Sequence, residues 1–565
     1  MTSGSPQSPT ATDMARHAAE QADTAQRAVQ ADEAQHAAQA DTAPQADGAQ
    51  PAAHWDDTCD VLVVGSGGGA LTGAYTAAAL GLDTLVVEKT AYFGGTTAYS
   101  GAGLWLPGNP AQERAGVEDS AELARAYFRA VVGDAVPHAL QDAYLDTAGP
   151  LVEYLERDEH LRFEFRPFPD YFGAPGRIDG GRSVYPCDLD QPEGGHPLLA
   201  AVRPPAWAER FELPAPDGPL TDGRALIGRL LLALEGAGGR TRLRTALTSL
   251  VEEDGRVVGA VVTDEAGHTR RIRARKGVLL AAGGYEGDAG LRREWQGLRG
   301  ADWTMGPAGA NTGDALKAAV ELGADTGLLA ESWWCPSVLF PDGTAAFALG
   351  FRGGFFVDGS GRRFANESLP YDQMGRALLA ARAGMDDSNQ VWWIFDGRYG
   401  DELPGIVVVP ADRAAFTEAG LWRTADTLED LAVTLGLDAA ELTATAKTFN
   451  TYAASGEDAD FGRGTDPYDR FFGDGTGPNP CLVPVEEGPF HAVRIVLGDL
   501  GTKGGVRIDT DARVLRADGT AIEGLYAAGN TTASVTGPYY PGPGAPIGSA
   551  MVFAHRAAEH LVREA

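Results

Sequence analysis

The chain has 565 residues, 44% of them apolar, and carries a formal charge of −32 from 46 Lys and Arg against 78 Asp and Glu. Its length and apolar content allow several ordinary domains with sizeable cores. The negative charge excludes nucleic acid as a partner, because phosphate neutralisation needs clustered Lys and Arg.

Residues 1–54 repeat an Ala-Gln-Ala-Asp theme, as in Gln39-Ala40-Asp41-Thr42 and Gln45-Ala46-Asp47-Gly48, with almost no large apolar residues. They have no face to pack against a core and read as a disordered tail. The folded part begins at Trp55. Cys59–Val64 has the composition of a buried strand, Gly65–Ala70 is a glycine-rich turn, Leu71–Leu80 is helical, and Thr84–Glu88 is a second buried strand. This is a β-α-β unit, and the fold class expected is α/β with α+β elements. Between Thr248 and Gly284, turn signals at Asp254-Gly255 and Ala266-Gly267 separate Val-rich stretches, which predicts an antiparallel meander. Residues 291–485 mix helical and strand-like segments and read as an inserted domain. From residue 486 the pattern returns to strand, turn and strand, closing with a helix from Gly548 to Glu564.

The first turn carries the chemistry. In Gly65-Ser66-Gly67-Gly68-Gly69-Ala70 the glycines permit a tight turn, and the backbone can approach a pyrophosphate at the positive end of the following helix. Glu88, followed by Lys89, ends the second strand where an acidic residue bonds ribose hydroxyls. A second small-residue loop then runs from Phe93 through Gly94, Gly95, Thr96, Thr97, Ser100, Gly101 and Ala102 to Gly103. Its hydroxyls and bare backbone suit a long, extended dinucleotide, so FAD is expected rather than NAD. The loop holds no histidine for attachment, so the FAD is expected to be noncovalent.

The run from Asp60 to Asn109 resembles the FAD-binding domain of the fumarate reductase and 3-ketosteroid dehydrogenase superfamily. Leu280–Gly284 and Gly524–Asn530 resemble its later FAD-contacting segments. The resemblance implies a Rossmann-type FAD-binding domain built from residues 55–290 and 486–565, with a catalytic domain inserted over 291–485. It also implies cofactor contacts at Ala282, Gly283, Gly529 and Asn530, with Leu247, Ile547 and Gly548 beside them.

Tyr540-Pro541-Gly542-Pro543-Gly544-Ala545-Pro546-Ile547-Gly548 is similar to the 3-ketosteroid dehydrogenases in particular. The resemblance implies that the Tyr540 hydroxyl and the Gly544 amide hold a substrate ketone oxygen. The chemistry is sound in itself, since removing a proton beside a ketone places negative charge on that oxygen and two fixed donors stabilise it. A proton acceptor is implied at Tyr371, four residues after Glu367, past an Asp358-Gly359 turn linking two strand-like pieces. A tyrosine titrates near about 10 and must be activated by its surroundings to act as a base. Tyr171 is the candidate assistant, with Tyr185 as its rival.

A fumarate reductase-like ene-reductase would use an arginine, with Arg352 and Arg363 near the right segment, and a histidine. None occurs in Gly501-Thr502-Lys503-Gly504-Gly505. The apolar residues Trp333, Trp334, Phe351, Phe355 and Phe356 suit a large ketone better than a small dianion, and His491 is read as structural. The expected activity is therefore a 3-ketosteroid dehydrogenase of Δ1 type, with Δ4 left open, acting on a steroid-like or other bulky ketone and passing electrons to an unidentified acceptor. A non-catalytic FAD-fold binding protein is the reading from another class. The four cysteines have neither metal-ligand nor disulfide-scaffold spacing. No metal is expected, and a cytoplasmic location is. No apolar run approaches the roughly 18 residues of a membrane span.

Overall fold

The apolar run at Cys59–Val64 forms the strand Asp57–Val64, with its last four residues buried. The computed structural model describes residues 54–298, 300–382, 390–473 and 477–564. The tail expected over residues 1–54 lies outside them, His54 excepted. The first strand pairs in parallel with Thr84–Val87 on one side and Thr269–Leu280 on the other, with Val64 beside both Val87 and Leu280. A strand bonded on both edges and covered on both faces has no solvated side, so its sequence shows no alternation.

These strands belong to an eight-stranded sheet. Its path runs Arg513–Leu515, Ala521–Ala527, Arg256–Asp264, Thr269–Leu280, Asp57–Val64, Thr84–Val87, Arg240–Arg242, and Thr245–Glu253 pairs with Arg256–Asp264. The predicted meander is present as the consecutive antiparallel strands Thr245–Glu253, Arg256–Asp264 and Thr269–Leu280. Strands from both ends of the folded region thus share one sheet.

The first helix spans Gly68–Ala79, three residues earlier than its expected start. Its glycines form a packing face. A Cβ at Gly69 would lie 2.9 Å from the Ala550 carbonyl oxygen, and one at Gly73 would lie 2.6 Å from Leu279 Cδ2. The C-terminal helix, Ala545–Arg563, can therefore approach closely. It too begins three residues early, because Pro546 is tolerated in a first turn, where its missing N–H costs nothing.

A second, seven-stranded sheet is antiparallel throughout. It runs Phe355–Val357, Val391–Phe395, Phe490–Thr502, Ser332–Leu339, Ala345–Leu349, Ile406–Val407, with Trp422–Ala425 also on Phe490–Thr502. Its longest strand lies beyond residue 485, so the boundary expected there does not coincide with a change of sheet. Of the two strand-like pieces expected around Asp358-Gly359, only Phe355–Val357 is a strand. Residues 362–367 are irregular, and the side chains of Arg363 and Glu367 enter a buried ion-pair cluster. In it Glu367 bonds Arg363 at 2.8 Å and Arg463 at 3.0 Å, while Arg463 also donates to the carbonyls of Phe351 and Gly354. The helix Tyr371–Arg382 lies close on this sheet, where a Cβ at Gly375 would come within 2.6 Å of the Cys335 amide nitrogen.

Candidate active site

Strand ends at Val64, Val87, Leu280 and Ala527 open onto one cavity. Its wall includes Gly65, Ser66, Gly67, Gly68, Ala70, Glu88, Lys89, Gly95, Thr96, Thr97, Ser100, Gly101, Ala102, Gly103, Leu247, Ala282, Gly283, Gly529, Asn530 and Ile547. Two of the expected contacts stand behind it. Gly94 supports the wall by donating its amide to Ser66 Oγ at 3.0 Å, and Gly548 packs on the Trp105 backbone.

The wall fits FAD. Gly65 has φ +102°, and a side chain there would strike the Ala281 carbonyl, so the turn needs glycine. The first helix follows Gly67, which offers no side-chain cap, and has no acid in its first turn; the Gly68 amide donates to Thr97 Oγ1 at 3.1 Å, and the helix end keeps positive potential for an anion. The helix beginning at Ala545 is uncapped in the same way. The Glu88 carboxylate is fixed by Ser66 Oγ at 2.7 Å and the Thr90 amide at 2.8 Å. Lys89 is already paired, with Asp314 at 2.9 Å and Thr312 at 2.6 Å.

At the far end of the cavity the candidate tyrosines meet. Tyr371, the first residue of its helix, donates its hydroxyl to Tyr540 Oη at 2.8 Å. The Tyr171 ring packs 5.3 Å from that of Tyr371 and 5.2 Å from that of Tyr540, and its buried hydroxyl faces Tyr371. The rival Tyr185 lines the cavity beside Gly103, under the Arg166 guanidinium. The Tyr540 loop is held from outside the helix: Pro541 O accepts from the Tyr171 amide at 3.0 Å and from Tyr127 Oη at 2.5 Å. Gly544, at φ +89°, lies so close to the Gly103 carbonyl that no Cβ would fit.

Burial pushes the hydroxyls of Tyr371 and Tyr171 well above the ordinary tyrosine value. It pushes Tyr540 up too, against the opposing effect of hydrogen bonds from Tyr371 and the Gly544 amide. At rest the cluster is therefore neutral, a set of hydroxyls arranged to donate to an oxygen and to pass a proton between oxygens.

The structure redistributes the other candidates. Arg363 is committed to Glu367 and Asp458 at 2.8 and 2.9 Å, Arg352 is exposed, and neither lines the cavity. His491 is buried between Trp422 and Thr424 and pushed down to about 4 by burial, away from the cavity. Of the five apolar residues expected near the ketone, Trp333 touches Tyr540, with centroids 4.9 Å apart. Trp334, Phe351, Phe355 and Phe356 lie in separate cores. Successive strand residues face opposite sides of a sheet, so Trp333 and Trp334 cannot both reach the site.

The apolar wall near the tyrosines comes instead from Phe168, Met305, Phe347, Leu349, Val408 and Leu500, with Tyr468 against Tyr171 at 5.2 Å. None of these had a local motif to mark it. Asn311 was missed as well. It bridges Thr96 Oγ1 at 2.9 Å and Glu286 at 2.7 Å, where burial raises the Glu286 carboxyl to about 7. Among the described residues no cluster suits a metal ion, no helix is long and apolar enough to cross a membrane, and the four cysteines are unpaired.

Comparison with known proteins gives a family model described as an FAD binding domain, which matches residues 60–547. A 3-oxosteroid 1-dehydrogenase of Rhodococcus opacus is 43% identical, covering 90% of this chain and 99% of its own. That of Mycobacterium tuberculosis (strain ATCC 25618 / H37Rv) is 39% identical over 90% of this chain and 98% of its own. Among solved structures, the 3-ketosteroid Δ1-dehydrogenase of Sterolibacterium denitrificans in complex with 1,4-androstadiene-3,17-dione superposes with a TM-score of 0.83. It is 34% identical and covers 90% of this chain and 100% of that one.

Proposed function

Because this chain belongs to the FAD-dependent 3-oxosteroid 1-dehydrogenase family, we propose that it oxidises a 3-ketosteroid or similarly bulky ketone, forming a C=C bond beside the carbonyl in the Δ1 position. The observation that carries this reading is the pair of hydroxyls at Tyr371 and Tyr540, buried at one end of a cavity whose other end fits a dinucleotide. Bound FAD supplies the hydride acceptor. The residues assigned to hold it are the glycine turn, Glu88, the 94–103 loop, and the backbone at 282–283 and 529–530. Among the described residues no His or Cys lines the cavity, which supports a noncovalent cofactor.

The chain's own residues do the rest. The Tyr540 hydroxyl and the Gly544 amide donate to the ketone oxygen. They stabilise the negative charge that builds there as a proton leaves the adjacent carbon. Tyr371 Oη, in its deprotonated form, accepts that proton, and its contact with Tyr540 keeps base and clamp in register. Tyr171, packed on both rings, restricts their orientation and assists. The Phe168, Phe347, Leu349 and Leu500 wall takes the apolar body of the substrate and excludes water. A dicarboxylate substrate lacks support, since Arg363 has its own buried partners. Unpaired cysteines fit a cytoplasmic location.

The test is to titrate the oxygen-free yellow protein with a panel of 3-ketosteroids and small cyclic ketones. Bleaching of the flavin by 3-ketosteroids that are still saturated at C1–C2 is expected. Bleaching by none of them sinks the proposal.

A further inference from the structure

Lys503 follows the strand Phe490–Thr502, and its side chain is fully buried. Its Nζ donates to the carbonyls of Pro538 at 2.8 Å and Tyr539 at 2.9 Å, the two residues before Tyr540. It also reaches Asp372 Oδ1 at 3.4 Å, the residue after Tyr371. The ammonium sits 4.3 Å from the centroid of the Trp333 ring and 6.0 Å from that of Tyr540. Trp333 packs on Tyr540 and donates to Asn530 Oδ1 at 3.0 Å, on the cavity wall.

A buried ammonium is costly unless it is paired and its donors are all used. Here three N–H groups meet three acceptors, and the neutral amine would have only two. The other charged groups around it are Arg376, from the Tyr371 helix, and Glu331, from the segment before Ser332–Leu339. They bond each other at 2.8 Å, and Arg376 reaches Asp372 at 3.4 Å and also donates to Pro538 O. Lys503 is not on the cavity wall and does not meet the substrate. Its contacts are with the backbone just before one reacting hydroxyl and the side chain just after the other.

We infer that Lys503 is a positioning residue whose ammonium ties the Tyr540 loop and the first turn of the Tyr371 helix into one frame, setting the geometry of the two hydroxyls at the ketone. The inference rests on the functional reading above, in which those hydroxyls act on the substrate. A positive charge beside Tyr540 also strengthens its O–H as a donor to a developing oxyanion. Burial lowers Lys503 to about 8, and Asp372 opposes the fall, so the frame has its third N–H at neutral pH and loses it in alkali.

Two variants test this by oxygen-free stopped-flow flavin reduction with a ketosteroid, alongside steroid binding read from the flavin spectrum. Lys503→Met keeps the length without the charge. It is expected to stay yellow and to bind steroid within about threefold of wild type, while reducing flavin roughly tenfold or more slowly at saturation, the scale of a small misplacement of reacting groups. Asp372→Asn removes the counter-charge, so Lys503 loses its proton at lower pH. The variant's rate should fall away from the wild-type profile already near neutrality and recover in more acidic buffer.

Wild-type reduction rates in Lys503→Met overturn the inference, as do equal losses in binding and reduction, which mark a merely structural role. If Lys503→Met cannot hold FAD, Asp372→Asn decides: a profile superimposable on wild type overturns the inference, and a shifted one supports it. A wild-type protein that no ketosteroid reduces overturns the functional reading, and this inference with it.

Discussion

The hydroxyl of Tyr371 donates to that of Tyr540 across 2.8 Å, although 169 positions separate the two residues in the chain. Phenylalanine at either position keeps the ring and its edge-on contacts. Tyr371→Phe and Tyr540→Phe should therefore fold and stay yellow while losing steroid-driven flavin reduction by roughly 100-fold or more, the scale for a general base or an oxyanion donor. Single-turnover reduction without oxygen measures this directly. A near-normal rate in Tyr371→Phe removes it as the base.

Tyr171 differs because it packs against both of these rings and is not on the cavity wall. Phenylalanine keeps that packing, so Tyr171→Phe should stay within about 1 kcal/mol of wild type in stability. Flavin reduction should slow by roughly tenfold, less than in Tyr371→Phe, since the role proposed for this residue is to assist and not to take the proton. A clear drop in melting temperature would contradict the structural half of this expectation.

The pH dependence has a definite sign. A base works in its deprotonated form, and burial holds Tyr371 well above the ordinary value. The phenolate fraction therefore rises with pH, by about tenfold per unit below the pKa. Flavin reduction should accelerate from acid towards neutrality and bend over above about 8, where Lys503 gives up its proton. A flat profile below neutrality is the outcome that counts against Tyr371 acting as a phenolate.

Gly544 has both a left-handed backbone, at φ +89°, and no room beside the Gly103 carbonyl. Gly544→Ala should lower stability by at least about 1–2 kcal/mol, the usual strain of that conformation for a residue with a Cβ. It should also displace the amide proposed to face the ketone oxygen. Melting temperature and flavin reduction should fall together. An alanine variant with wild-type kinetics would exclude the Gly544 amide as a clamp.

Glu88 is held rigid by Ser66 and Thr90, on the wall assigned to the cofactor's ribose. Glu88→Ala should weaken FAD binding by roughly 1–3 kcal/mol, for loss of a buried charged hydrogen bond. FAD release on dilution, followed by fluorescence, measures it. Acid precipitation of the wild type should leave all the yellow colour in the supernatant.

The cofactor frame was legible because its determinants are local. Strand, glycine turn, helix, strand and Glu88 follow one another within about thirty residues, and each is set by backbone freedom or by burial on both faces. Tyr371, Tyr540 and Gly544 came from resemblance of short segments and Tyr171 from its position; the first three line the cavity, as does the rival Tyr185, while Tyr171 packs against the rings of Tyr371 and Tyr540. The sequence by itself could not decide which aromatic residues face that end. Trp333 and Trp334 are neighbours in the chain, yet one packs on Tyr540 and the other lies in a different core. Nor could it decide that Arg363 is occupied or that Lys503 stands behind both tyrosines, since their partners lie up to 131 residues away. Side-chain direction and charge pairing depend on which strands become neighbours, and that is settled only when distant segments pack against each other.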